Sequence, residues 1–435
     1  MSRKPSRGSA SFRGTVRNST TRFYEVVSPA HPQPSGELLE TLAVDDLPEL
    51  ESVSKIQNTQ LVASYNWLDG KSPSILVPGS PPSWSPLPEP RKLKQDRGDY
   101  YRDPNAARSP QYPMEPAIRS VLSLHEDFET SSINIVGCSS TIGNILRYAG
   151  SLSASFSFDV DVIGNTIFFV RKEASPTQVM EGVYGYGHTF PEAYTNWESE
   201  SRGSVSHQRI ISYSFGSLNC LVRFESDGYI KDKLTLKERE DLDQRPDPAG
   251  KEDEEAIIVS ATQSISVSEQ LPTETGNLQI TRKGSLIPQK AVFDIKTRSR
   301  RSFINMDEIR RRMWVNQTPN FILGYYTHGV FDEIEIMDIK DELVEWETQN
   351  QETLGRLEWT LKRIIEIARE SGGQSLQLTR FKDGALKIHK HEDATWRALP
   401  PDLQRRWAPP PEKPLSAGPG PVATTEDEED LISFL

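Results

Sequence analysis

Cysteine is nearly absent. Cys138 and Cys220 are the only two in 435 residues, and lying 82 positions apart they supply neither metal-ligand spacing nor a disulfide framework. They read as reduced core thiols of an intracellular protein. Long apolar runs are also missing: no stretch reaches membrane-spanning length, and no apolar segment follows the first charges to make a secretory signal. His188 and His207 have neither H-x-x-x-H nor H-E-x-x-H spacing, which argues against zinc chemistry. Ser139 and Ser140 have no accompanying His/Asp set, and no glycine-rich phosphate loop occurs. The formal charge of −12 argues against general polyanion binding, so a nucleic-acid site would need a local basic patch.

Hydrophobic residues make up only 35% of the chain, and most of the 31 prolines fall outside the periodic segments, so one folded domain is expected between disordered segments. Residues 1–60 read as a polar tail whose start, MSRKPSRGSASFRGTVRNSTTRF, is basic and free of acids. That composition suits nuclear targeting or a mitochondrial leader, although Pro5, Gly8 and Gly14 interrupt any helix there. Residues 61–113 carry Tyr65, Trp67 and Trp84 among prolines, as either an extended cover or a linker. The domain is expected over 114–400, broken by an acidic disordered insertion at 231–288, and 401–435 is a Pro-rich, then acidic, tail. Helical spacing appears in PAIRSVLSLH, STIGNILRYAGSL, NMDEIRRRMWVNQ and a long run over 341–371. Alternation predicts hairpins around Gly164-Asn165, around Gly216, through NFILGYYTHGVFDEIEIMDI and in SLQLTRFKDGALKIHK. The fold class is therefore α+β, a mixed β-sheet with flanking helices.

Within this frame FESDG offers Glu225 and Asp227, and FDIKT offers Asp294 and Lys296. Residues two apart on a strand share a face, so each pair projects together, and neighbouring strands would gather three carboxylates and an ammonium. Such a cluster needs a neutralising cation, with Mg²⁺ or Mn²⁺ the usual partner of all-oxygen ligands. A metal there would activate water against a phosphodiester, and the lysine would steady the phosphate. With 62 acidic residues in the chain, either triplet alone is uninformative; the information is in their order at the ends of apolar strands. An edge-strand salt bridge between Asp294 and Lys296 is the bland alternative. The segment from Lys296 to Arg312 contributes Arg298, Arg300, Arg301, Arg310, Arg311 and Arg312, either as a phosphate-backbone track for RNA or as a solvated face balancing nearby acids.

The order of GYGHTFPEAY, FESDG, FDIKT and MWVNQTPNFILGYYTHG resembles the decapping exoribonuclease (DXO) family, which hydrolyses defective 5′ ends of RNA. The resemblance covers about residues 140 to 340. It implies a core like that of PD-(D/E)xK nucleases, a divalent cation (Mg²⁺ or Mn²⁺) and RNA as partner. It also implies Glu225, Asp227 and Asp294 as metal ligands, with the Ile295 main chain contributing. Glu192, Lys296 and Gln317 would be catalytic, the last two at the nucleophile or scissile phosphate. Three departures stand out. Pro191 holds the position where the motif glutamate belongs and Glu192 comes one residue late; Asp294 replaces a glutamate; and the upstream arginine has only Arg147 as a counterpart. A non-catalytic relative that binds RNA or a protein partner, the latter through the tails, is therefore the alternative function.

The chain is also similar to a fungal family of uncharacterised proteins sharing ASYNW, GYGH and DGY segments, whose name invokes a geranylgeranyl pyrophosphate synthetase. Prenyl synthases need paired D-D-x-x-D motifs on facing helices. The nearest segment here is DDLPE at Asp45, which does not supply that chemistry.

Overall fold

The computed structural model describes residue 34 and residues 36–48, 53–70, 72–97, 100–180, 183–243, 278–393 and 395–407. Most of the basic N-terminal tail, the centre of the acidic insertion and the C-terminal tail, with the partner contacts expected of the tails, lie outside these residues.

Two large sheets organise the chain. The first has eleven described strands, in spatial order Leu38–Leu42, Leu386–Lys390, Leu376–Arg380, Phe156–Ile163, Thr166–Arg171, Ile135–Cys138, Leu218–Ser226, Ser204–Phe215, Ile56–Leu68, Ser74–Pro78 and Gln279–Lys283. The second has six: Thr195–Asn196, Ser83–Trp84, Gly228–Tyr229, Val292–Ser299, Asn320–Thr327 and Val330–Asp338. Parallel and antiparallel pairs mix in both, as the α+β reading requires. The four hairpins form where alternation places them.

Alternation decides which core each side chain enters. Along Leu218–Ser226, Leu218, Cys220, Val222 and Phe224 face one core with the helices Ser139–Ala149, Met306–Asn316 and Gln351–Glu370. Leu221 faces the other core, under the helices Glu115–Leu124 and Pro401–Trp407. Both cysteines are buried and unbridged. The run expected as one helix over 341–371 is two, Lys340–Gln349 and Gln351–Glu370, because Asn350 leaves helical geometry at φ −108° and ψ 23°. The second buries Leu354, Leu357, Leu361 and Ile364 at helical spacing.

The expected domain boundaries need correction. Ile56–Leu68, placed across a tail and a cover segment, is an interior strand of the large sheet, with Tyr65 and Trp67 fully buried. Its polar residues misled because residues 62–67 are buried on both faces and their polar groups are satisfied internally. Asn66 donates to Ser80 O and Ser204 Oγ at 2.8 and 2.9 Å, and Tyr65 and Trp67 both donate to Asn105 Oδ1 at 2.8 and 2.7 Å. Burying two such rings contributes roughly 1.5–3 kcal/mol each, more than a surface cover segment could gain. Leu38–Leu42 adds an edge strand, Val44–Asp46 is a 3-10 turn where disorder was expected, and Gln279–Lys283 recovers the end of the insertion by pairing with Ser74–Pro78. The start of that insertion is also structured, as the helix Leu236–Asp243.

At one crossing the chain passes between the sheets through a single residue. After Ser226 the chain leaves the large sheet, passes Asp227 and enters the small one at Gly228–Tyr229, which pairs with Phe293 and Val292. A Cβ on Gly228 would lie 2.6 Å from Pro82 O, so this crossing admits only glycine without displacement.

Candidate functional site

The crossing opens into a cavity of about 640 Å³ between the sheets. Glu225, Asp227, Asp294 and Lys296 all line it. On the strand Val292–Ser299, Phe293 and Ile295 enter the aromatic core with Phe190, Tyr194 and Phe331, so Asp294 and Lys296 take the opposite face. That face turns toward the helix Met306–Asn316, whose Asn305 cap accepts from the Glu308 N–H and whose Met313 and Trp314 are buried. Arg312 projects from this anchored helix and ion-pairs with Asp294. The edge-strand bridge from Asp294 to Lys296 does not form.

Each carboxylate already has a partner. Asp227 Oδ2 accepts the Ile295 N–H at 2.6 Å, and Glu225 Oε2 accepts from Gln208 Nε2 at 3.2 Å. Burial and the neighbouring Asp294 charge push the Asp227 carboxyl up to about 7, against the opposing pull of the Ile295 N–H and Arg312. Burial also raises Glu225, with Gln208 and Arg223 opposing. Lys296 moves the other way: burial and the Arg312 guanidinium lower it, while the carboxylates of Asp294 and Asp227 pull it up.

A divalent cation would need several of these oxygens free. Here one oxygen of each is engaged, Asp294 Oδ1 by a guanidinium, Asp227 Oδ2 by a main-chain N–H and Glu225 Oε2 by an amide. Among the described residues no group of three or more His, Cys, Asp or Glu side chains is disposed to hold a metal. The expected ligand trio is thus brought into one cavity, but in an arrangement that does not fit a divalent cation.

The expected catalytic residues separate. Lys296 is in the cavity; Glu192 and Gln317 do not line it. In the short helix Thr189–Tyr194, Phe190 and Tyr194 are buried one turn apart, which turns Glu192 outward to solvent, and Pro191 lines the cavity in its place. Gln317 caps the helix in left-handed geometry at φ 50°, with its Nε2 folded back on Trp314 O at 2.6 Å. The residue that does reach the cavity is Asn316, one helical turn beyond Arg312, 4% exposed and with its Oδ1 unpartnered. Residue type suggests the glutamine, whereas helical phase from Arg312 selects the asparagine.

The expected basic track divides in two. Arg300 pairs with Asp332 and Glu333 at 3.1 and 2.8 Å, Arg310 with Glu342 at 2.8 Å, and Arg301 is exposed away from the cavity. Arg298, Arg311 and Arg312 instead line a second space of about 290 Å³ beside the first. Lys296, Arg298 and Arg312 belong to both. The side chains of Lys296, Arg298 and Arg311 form no hydrogen bond or ion pair with any described residue. Arg147 lines the smaller space, paired with Glu308.

Other lining groups carried no sequence signal. Asp96 is buried and accepts from the Thr189 N–H at 3.0 Å, the Thr189 hydroxyl at 3.0 Å and the His188 N–H at 3.2 Å. Burial pushes it up, but those donors outweigh burial and hold it below the usual carboxylate range. This clamp fixes GYGH on the rim, where His188 stacks on Tyr100 with ring centroids 3.5 Å apart. Tyr184, 82% exposed, stands beside it on the cavity wall.

Residues 47–407 match the family described as domain of unknown function DUF8563, and the chain belongs to that family. No curated protein matches it. Among solved structures, Rai1 of Candida albicans in complex with pU5-Mn2+ superposes with a TM-score of 0.52 at 9% identity, covering 85% of this chain and 98% of that one. Rai1 of S. pombe gives 0.51 at 12% identity, over 81% and 99%. Rai1 of Scheffersomyces stipitis gives 0.50 at 9%, over 86% and 99%. The shared fold is the one implied by the DXO resemblance. No helix among the described residues is long and apolar enough to cross a membrane.

Proposed function

We propose that this DUF8563 protein binds the phosphorylated 5′ end of RNA in the cavity between its two sheets. The observation that carries the reading is the set of unpaired cations, Lys296 and Arg298 in both spaces and Arg311 in the smaller one, beside carboxylates that are already neutralised or engaged. Lys296 and Arg311 are half-buried and Arg298 is exposed, so an arriving phosphate would meet cations that no carboxylate of the described chain pairs with. The phosphate would also lift Lys296 back toward its ordinary basicity, since burial and Arg312 now hold it down.

The remaining parts suit a nucleotide chain. Ser139 and Ser140, at the N-terminus of an eleven-residue helix without a capping side chain, line both spaces and offer hydroxyl and main-chain donors to phosphate. Tyr184 offers an exposed face for stacking an unpaired base. The Candida albicans neighbour, whose structure holds pU5-Mn2+, supplies the 5′-phosphorylated RNA as the ligand to test first.

Hydrolysis of RNA 5′ ends with Mg²⁺ or Mn²⁺ is the second reading, favoured by the convergence of Glu225, Asp227, Asp294 and Lys296 on one cavity. It ranks below binding because Glu192 faces solvent and the three carboxylates are engaged by other groups. Fluorescence anisotropy with a 3′-labelled, 5′-phosphorylated oligoribonucleotide tests the first reading: saturable binding is expected, and Lys296→Ala/Arg298→Ala should lose it. Undiminished binding by a folded double variant would place the ligand elsewhere. Cleavage of capped or triphosphorylated RNA with Mn²⁺ by wild type, absent in Asp294→Asn, would promote the second.

A further inference from the structure

Asp294 is buried, with only 12% of its side chain exposed, and among the described residues it ion-pairs with Arg312. The guanidinium also acts at a distance on the rest of the cluster, pulling Asp227 down and Lys296 down together. It is thus a positive charge paired with Asp294 and felt by Asp227, supplied by the chain itself. Its helix holds it there: Asn305 caps the first turn, Met313 and Trp314 anchor the next residues in the core, and the Trp314 indole donates to Glu347 Oε2 at 2.8 Å. Arg312 Nε is buried and unpartnered, so one guanidinium N–H remains unspent at the cavity wall.

From this arrangement we infer that Arg312 takes the place of a divalent cation among Glu225, Asp227 and Asp294, and closes the site to metal. The reason is electrostatic and steric together. A dication bound through Asp294 must displace the guanidinium or share its carboxylate at close like-charge range. The displaced arginine would then stand among Lys296, Arg298 and Arg311 without a carboxylate to answer it. The guanidinium can do part of what a metal would do for a phosphate, since its planar fork donates two bonds and carries positive charge. It cannot generate a hydroxide from bound water, which is the step that needs a metal. The site therefore keeps anion recognition and gives up metal-assisted hydrolysis.

One consequence rests on the RNA reading, namely that RNA binding survives a chelator. The metal claim does not, and is tested with metal alone. Isothermal titration of MnCl₂ into the full chain should show no saturable binding for wild type. Arg312→Gln, which keeps a polar side chain but removes the charge, should gain a Mn²⁺ site about tenfold or more tighter than anything in wild type. That site should vanish in Arg312→Gln/Asp294→Asn. Saturable Mn²⁺ binding by wild type that Asp294→Asn abolishes would overturn the inference, and this arm holds whether or not the Arg312 variant folds. A folded Arg312→Gln that binds no Mn²⁺ would overturn it equally.

Discussion

Asp227 Oδ2 accepts the Ile295 N–H at 2.6 Å, a bond that joins the residue where the chain leaves one sheet to the middle strand of the other. It carries a pH dependence with a definite sign. Burial and Asp294 hold the folded carboxyl at about 7, whereas in the unfolded chain it returns to about 4. Between those values the native state keeps a proton that the unfolded state has released. Stability therefore falls as pH rises from about 4 to about 7 and levels off above. Asp227→Asn keeps an oxygen for the Ile295 N–H and removes the titration. Urea denaturation at pH 5, 6, 7 and 8 should show that slope in wild type, a flatter profile in the variant, and the variant more stable at pH 8.

The division of the arginines makes a second prediction. Lys296→Ala or Arg298→Ala should each weaken binding of 5′-phosphorylated RNA by on the order of 1.5–3 kcal/mol, roughly tenfold to a hundredfold. Each should also reduce the log–log salt slope by about 0.7. Arg300→Ala and Arg310→Ala remove cations already answered by Asp332, Glu333 and Glu342, and should stay within about twofold of wild type. Anisotropy titrations at three salt concentrations separate the two groups.

Tyr184 supplies the third. Tyr184→Ala should cost about 1–3 kcal/mol of RNA affinity through lost stacking, while Tyr184→Phe retains most of it. Because the ring is 82% exposed, thermal stability should hardly move in either variant. A loss shared equally by the alanine and phenylalanine variants would assign the effect to the hydroxyl instead.

Glu192 gives the fourth. Facing solvent on its short helix, it should tolerate Glu192→Ala with RNA affinity unchanged within about twofold. A large loss in the same anisotropy titration would bring its carboxylate into the binding machinery that the motif order first suggested.

These residues also show where sequence reading succeeds and where it stops. Period-two alternation and the turn residues located the hairpins, even where a strand such as Phe156–Ile163 is buried on both faces, and the same rule put Asp294 and Lys296 on a shared face. It could not find Ile56–Leu68, whose polar Ser64 and Asn66 are buried in an interior strand and whose partners Pro78, Ser80 and Ser204 are remote in sequence. The motif order named Glu225, Asp227 and Asp294, and all three line one cavity. Nothing local to FDIKT reveals that Arg312, eighteen positions on, supplies the countercharge. Gln317 and Glu192 lie outside the cavity for a simpler reason, the phase of a short helix and its cap, which a single residue of offset reverses.

The central claim is recognition of a terminal phosphate, and the most direct measurement compares one oligoribonucleotide bearing either a 5′-phosphate or a 5′-hydroxyl. Titrated by anisotropy at a single salt concentration, the phosphorylated strand should bind about tenfold or more tightly, since its terminal charge meets Lys296 and Arg298 in the cavity. Equal affinity for the two strands would contradict the account.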